Sequence, residues 1–135
     1  MGESQAHINL VHKLRDYVSA CYLHNDDGRI LIDLPTSNTY SQTFIIDGHR
    51  PDLFVKTGCN KIIIGEAKTQ DDLEREHSIS QYITFLKYCS KYDSSIFILA
   101  VPWDLTISAR NLLNKITNDE NIVKVDIDVI DRLIV

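Results

Sequence analysis

The sequence predicts an α/β fold, a mixed β-sheet of about five strands with helices on both faces. Three observations carry this. Apolar residues recur at three- and four-residue spacing in three separate stretches, as amphipathic helices require. Between those stretches lie short β-branched runs bounded by turn formers. The elements also follow one another as helix, three strands, helix, strand, helix, strand, and the strand–helix–strand steps call for parallel neighbours.

The first helix is expected over residues 7–23, where Ile8, Val11, Leu14, Val18 and Tyr22 form one apolar stripe. Extended backwards at ~100° per residue, it places His7 and Glu3 over that stripe and Asp16 on the wet side. Ser4 is equally placed to be the N-cap, which leaves Glu3 just outside the helix. Residues 25–28 are a turn, 29–34 a first strand, 35–41 a loop, and 43–47 the start of the next extended segment. Gly48 marks a bend or bulge before Arg50, and Pro51 interrupts the ladder because it has no N–H to donate.

Within residues 50–69, two apolar, β-branched runs flank Thr57, Gly58, Cys59 and Asn60, a stretch rich in turn formers, and read as a β-hairpin. Along its second strand Ile62, Ile64, Glu66 and Lys68 share one face, and Ile63, Gly65 and Ala67 the other. A strand apolar on both faces belongs in the middle of a covered sheet.

The second long helix is expected over residues 74–92, with Ile79, Tyr82, Ile83, Leu86 and Cys89 as its core stripe and Ser78, Gln81 and Phe85 on a flank. Residues 96–101 are a continuous apolar strand, central and parallel to a neighbour. Asp104 or Thr106 caps a third helix whose inner face is Leu105, Ala109, Leu112, Leu113 and Ile116. Residues 122–130 alternate Val123, Val125, Ile127 and Val129 with Lys124, Asp126 and Asp128, the pattern of a half-exposed strand near an edge. Trp103 and Tyr82 read as core residues rather than base-stacking platforms. With no repeat, low-complexity tract or linker, residues 1–135 are expected to form one domain.

Composition is that of an ordinary globular protein, 44% hydrophobic and 24% charged. No apolar run approaches the ~20 residues that span a bilayer, and the N-terminus lacks the features of a signal peptide, so a cytoplasmic protein with no membrane partner is expected. Cys21, Cys59 and Cys89 form no CxxC pair and suit a reducing compartment as unpaired thiols. No His spacing argues for zinc, and His7 and His77 read as solvated or core-satisfied histidines. The net charge of −5 gives no help to a nucleic-acid partner, and the acid is concentrated beyond residue 118.

The hairpin carries the chemistry. Asp52 stands near the outer end of its first strand, and Glu66-Ala67-Lys68 ends the second. A carboxylate and an ammonium at the end of a buried strand are costly unless compensated. A divalent cation shared by Asp52 and Glu66 would compensate them, since hard cations take carboxylate oxygens. The bland alternatives are a surface salt-bridge cluster and an Asp52 that caps a strand end.

This order, with Pro51-Asp52, a gap and Glu66-Ala67-Lys68, resembles the PD-(D/E)XK nuclease superfamily, to which restriction endonucleases, archaeal Holliday junction resolvases and RecB-type exonuclease domains belong. The resemblance runs from the first helix to Val101. Gln81 with Phe85 looks like the Gln-xxx-Tyr helix motif of RecB-type members, with Phe in place of Tyr; Thr69 after the lysine is also RecB-like, and Glu3 is similar to the first-helix acid of many members.

The resemblance implies a restriction endonuclease-like core (αβββαβ, here with an added helix and strand) and Mg2+-dependent hydrolysis of DNA, with Mn2+ able to substitute. Asp52, Glu66, the Ala67 carbonyl and Glu3 would hold the metal, and Lys68 would stand beside the attacking water. Gln81 would bind the phosphate or the water, while His49, Arg50, Lys56 and Arg75 would meet the nucleic-acid backbone. RNA stays open beside DNA. Specificity would come from a homodimer or from a partner protein. Two other readings stay open, a non-catalytic DNA-binding or assembly module on the same fold, and the nuclease subunit of a larger restriction, recombination or transposition complex.

Overall fold

The structure is a computed structural model that describes residues 4–23, 29–34, 45–57 and 60–131. Helix α1 (Gln5–Val18) starts at Ser4, whose extended backbone and side-chain oxygen cap it by accepting the His7 N–H at 3.1 Å. Ser4 is therefore the N-cap, and Glu3 lies outside the described residues. A π-helical turn, Ser19–Leu23, continues α1.

Strands β1 (Arg29–Ile32), β2 (Leu53–Lys56) and β3 (Lys61–Ala67) follow, then α2 (Glu76–Ser90), β4 (Ser94–Ala100), a 3-10 turn (Trp103–Leu105), α3 (Thr106–Asp119) and β5 (Asp126–Ile130). The sheet runs in sequence order, β1-β2-β3-β4-β5. Its first half is antiparallel, β1 against β2 and β2 against β3. Its second half is parallel, β3 against β4 and β4 against β5. Helical crossovers account for the change of direction, because α2 and α3 each return the chain to the same end of the sheet.

As the apolar pattern predicts, β3 and β4 lie inside the sheet and are covered on both faces. On one face, Leu10, Val11, Leu14 and Val18 of α1 pack on Ile63, Ala67 and Ile98. On the other, Tyr82, Phe85 and Leu86 of α2 and Leu113 of α3 pack on Ile62, Ile64, Phe97 and Leu99. Gly65 lets α1 approach closely, since a Cβ there would stand 2.7 Å from Leu14 Cδ2.

Several expectations need correction. The described part of the segment expected to extend over 43–47 is a turn, not a strand. Ile46 N–H donates to His49 O at 2.6 Å and His49 N–H to Ile46 O at 2.9 Å. Asp47 (φ 46°) and Gly48 (φ 85°) supply the two positive dihedrals of a primed hairpin turn. In α2 the buried stripe is rotated toward the flank, burying Ser78 and Phe85 and leaving Ile79 and Ile83 half-buried. The aromatic pairs decide this, with Tyr82 and Phe85 ring centroids 6.4 and 6.5 Å from Phe97.

Neither Asp104 nor Thr106 caps α3. The 3-10 turn leads into it, and Thr106 Oγ1 donates to the Trp103 carbonyl at 3.3 Å. Trp103 is not a core residue, being 58% exposed. The final strand begins at Asp126 because Asn121 (φ 55°) and Lys124 (φ 68°) adopt left-handed conformations that break extended chain before it. β5 occupies an edge of the sheet, as its alternation predicts. The expected turn at 25–28, the loop at 35–41 and Cys59 fall outside the described residues. Among those described, no helix is long and apolar enough to cross a membrane.

Candidate active site

The β2–β3 register places Leu53 opposite Gly65, so Asp52 and Glu66 meet where the hairpin ladder ends. Pro51 has no N–H, and the side chains take over from the backbone there. Asp52 N–H donates to Glu66 Oε2 at 2.7 Å, and Ala67 N–H donates to Asp52 Oδ2 at 2.8 Å. The two acids are thus interlocked across neighbouring strands. Lys68 N–H donates to Ala100 O at 2.9 Å, which carries the parallel ladder one residue past β3. Lys68 Nζ lies 3.6 Å from Glu66 Oε1 and donates a short hydrogen bond to Gln81 Oε1 from α2. The sequence-predicted quartet of Asp52, Glu66, Lys68 and Gln81 therefore forms one contiguous cluster.

Glu66 is 1% exposed, Asp52 7% and Lys68 8%, so their charges are almost wholly desolvated. Burial first, and then the facing charge of Asp52, pushes the Glu66 carboxyl well above the usual carboxylate range. Lys68 and the Asp52 N–H pull the other way without cancelling it. The Lys68 ammonium thus compensates the buried Glu66 carboxylate only in part.

That imbalance, together with hard oxygen donors, fits a divalent cation. Asp52 and Glu66 would hold it. A strand residue's N–H and C=O point to the same neighbour, so the Ala67 carbonyl faces the Asp52 side and can join them. Among the described residues, no group of three or more His, Cys, Asp or Glu side chains is arranged to hold a metal. A cation here would complete its shell with backbone oxygen and water, as Mg2+ commonly does.

Other residues surround this cluster. His7 of α1 brings Nε2 to 3.4 Å from Asp52 Oδ1. Asp33, just past β1, donates its N–H to Asp52 O at 2.9 Å. Burial raises the Asp33 carboxyl, with Asp52 adding to the shift and Arg50 and His7 opposing it. Arg50 is therefore close enough to Asp33 for its charge to be felt there.

His49 Nε2 is 3.0 Å from Ser80 Oγ, and its ring is 5.3 Å from that of His77. Burial lowers its pKa, and His77 and Lys68 lower it further, which places His49 on the Lys68 flank of the site. Arg75 stays in its own turn before α2, with Nε donating to Asp71 O at 2.8 Å and 3.5 Å from Asp72 Oδ1. Lys56 is at the opposite end of β2, 6.0 Å from the Tyr92 ring centroid.

The sequence reads His7 as a solvated or core-satisfied histidine and gives Asp33 no site role. Signals for both existed. His7 projects over the apolar stripe of its helix, and Asp33 ends an apolar strand much as Glu66 does. No protein-family model, curated protein or solved structure matches this chain.

Proposed function

We propose that the protein is a metal-dependent nuclease that hydrolyses phosphodiester bonds of DNA on a restriction endonuclease-like core. One observation carries the reading, the interlocked, desolvated pair Asp52 and Glu66 with the Lys68 ammonium 3.6 Å from Glu66. A buried carboxyl raised like that of Glu66, paired with a second acid at a strand end, has a functional rationale that a solvated salt-bridge cluster lacks. The mixed sheet with α1 on one face and α2 and α3 on the other supports the same core.

Mg2+ bound there would supply charge to the scissile phosphate and lower the pKa of a coordinated water. Asp52, Glu66 and the Ala67 carbonyl would hold that ion at the strand ends. Lys68, steadied by Gln81 and Glu66, orients the attacking water and offsets charge gathering on the phosphate. His49 and Arg50 flank the acids and meet the phosphates on either side.

The test incubates the protein with plasmid, linear and branched DNA in Mg2+ or Mn2+. Cleavage that disappears in Asp52→Ala and Glu66→Ala is expected. No cleavage in either metal, or cleavage untouched by both substitutions, rejects the reading.

A second reading has its own observation. Both carboxylates already accept backbone N–H groups across the hairpin, so the pair also serves as a structural clasp. A non-catalytic DNA-binding or assembly module would keep the clasp and bind no metal. Calorimetry showing no divalent-ion uptake, together with intact DNA, favours this reading over the first.

A further inference from the structure

We infer that the cavity beside Trp103 receives an unpaired nucleobase, so that the substrate is single-stranded or frayed DNA rather than the interior of an intact duplex. The inference rests on the nuclease reading and adds the state of the strand. The cavity measures about 770 Å³, within the range of small-molecule sites. Its walls are the first half of α1 and the loops that leave β3 and β4, at the carboxyl ends of parallel strands where α/β sheets bind ligands.

The walls of the cavity are chain neighbours of the site. Thr69 and Gln70, on one wall, directly follow Lys68. Ala6 lines it while the next residue, His7, touches Asp52, so both are reached from one helical turn of about 5.4 Å.

The lining selects a base. Trp103 presents a broad apolar ring that is 58% exposed. Its platform is held in place, because Leu105 N–H donates to Pro102 O at 2.9 Å and Thr106 Oγ1 to Trp103 O at 3.3 Å. Base–aromatic stacking tolerates any base, since each has a π-face. Asp71 and Asp104 also line the cavity. Carboxylates repel a phosphate but accept from exocyclic amino groups, so the base enters and the backbone stays outside. Lys13, on the α1 wall, supplies a cation for that backbone. A base inside a duplex reaches such a pocket only after unpairing, at a cost of a few kcal/mol that a single strand does not incur.

Trp103 is the chain's one tryptophan, so its fluorescence reports the cavity. The test titrates the 135-residue protein in metal-free, low-salt buffer with a single-stranded 12-mer and with a blunt duplex of the same sequence. Trp103→Ala and Trp103→Phe are followed by anisotropy of labelled strands. The expected result is saturable quenching by the single strand and about 5–150-fold weaker single-strand binding in Trp103→Ala, the equivalent of one lost stack. Trp103→Phe should retain most of the affinity, and duplex binding should stay the same in all three proteins.

Unchanged fluorescence, or Trp103→Ala binding the single strand as well as the wild type, overturns the inference. Quenching by a matched oligoribonucleotide alone overturns the assignment to DNA. Cleavage that needs Asp52 and Glu66 but ignores Trp103→Ala sinks the base site and leaves the nuclease. Trp103-dependent single-strand binding without any cleavage sinks the nuclease and leaves the base site.

Discussion

Glu66 is held at 1% exposure against a second carboxylate, and its carboxyl is raised for that reason. The folded chain therefore binds this proton more tightly than the unfolded chain, whose Glu titrates near 4.5. Stability from this group is complete below that pH and is lost as pH rises through the folded value. Glu66→Gln keeps an acceptor for the Asp52 N–H and removes the charge. It should raise metal-free stability at neutral pH by about 1 kcal/mol while abolishing cleavage, a trade of activity for stability. Thermal melts of both proteins from pH 5 to 8 check this; equal curves would mean that the charge is already compensated. At the neighbouring position, Gly65→Ala drives a methyl to 2.7 Å from Leu14 Cδ2, and Leu14 is itself fully buried. Urea denaturation should show a loss of about 1–3 kcal/mol, the cost of overpacking.

Elements meet the site through their ends. The hairpin brings the acids, the end of α1 adds His7, and α2 adds Gln81 and, through Ser80, steadies His49. What ties α1 to the far edge of the sheet is a polar clasp, with Tyr17 and Tyr22 hydroxyls donating to Asp128 Oδ2 of β5 at 2.6 and 2.8 Å. Asp128→Ala leaves both hydroxyls without this acceptor and should cost about 1–3 kcal/mol in urea denaturation. Burial and the Asp128 carboxylate push Tyr17 up from 10.0 to about 12 and Tyr22 up as well. The folded chain thus holds both phenols protonated. Their contribution is intact below pH 10 and falls as the pH rises toward 12, so unfolding should begin in that window. Absorbance at the phenolate band, followed with circular dichroism, should show both tyrosines ionising with the loss of the fold; ionisation in the native state near 10 would contradict the clasp.

At the scale of the whole molecule, the same desolvation that destabilises the charged acid pair should let a cation stabilise the fold. Mg2+ at a hundredfold over its Kd should add about 2.7 kcal/mol to the wild type and nothing to Asp52→Ala or Glu66→Ala, read as a shift in Tm. Much of this architecture is legible in one dimension. The doubly apolar second strand of the hairpin and the apolar run at 96–101 announce central strands, and the alternation toward residue 130 announces an edge. Periodicity of this kind depends only on the repeat of each element, so the chain alone determines it. It also determines that Asp52 and Glu66 come together, because a hairpin's register is local. Tertiary structure alone decided the rest. Which side of α2 is buried followed from the rings of Phe97 beneath it, and Trp103 was kept out of the core by a 3-10 turn that no hydrophobic pattern signals. His7 and Asp33 joined Asp52 from elements distant in sequence, and contacts of that kind arise from the packing of α1 and β1 on the hairpin rather than from any spacing along the chain.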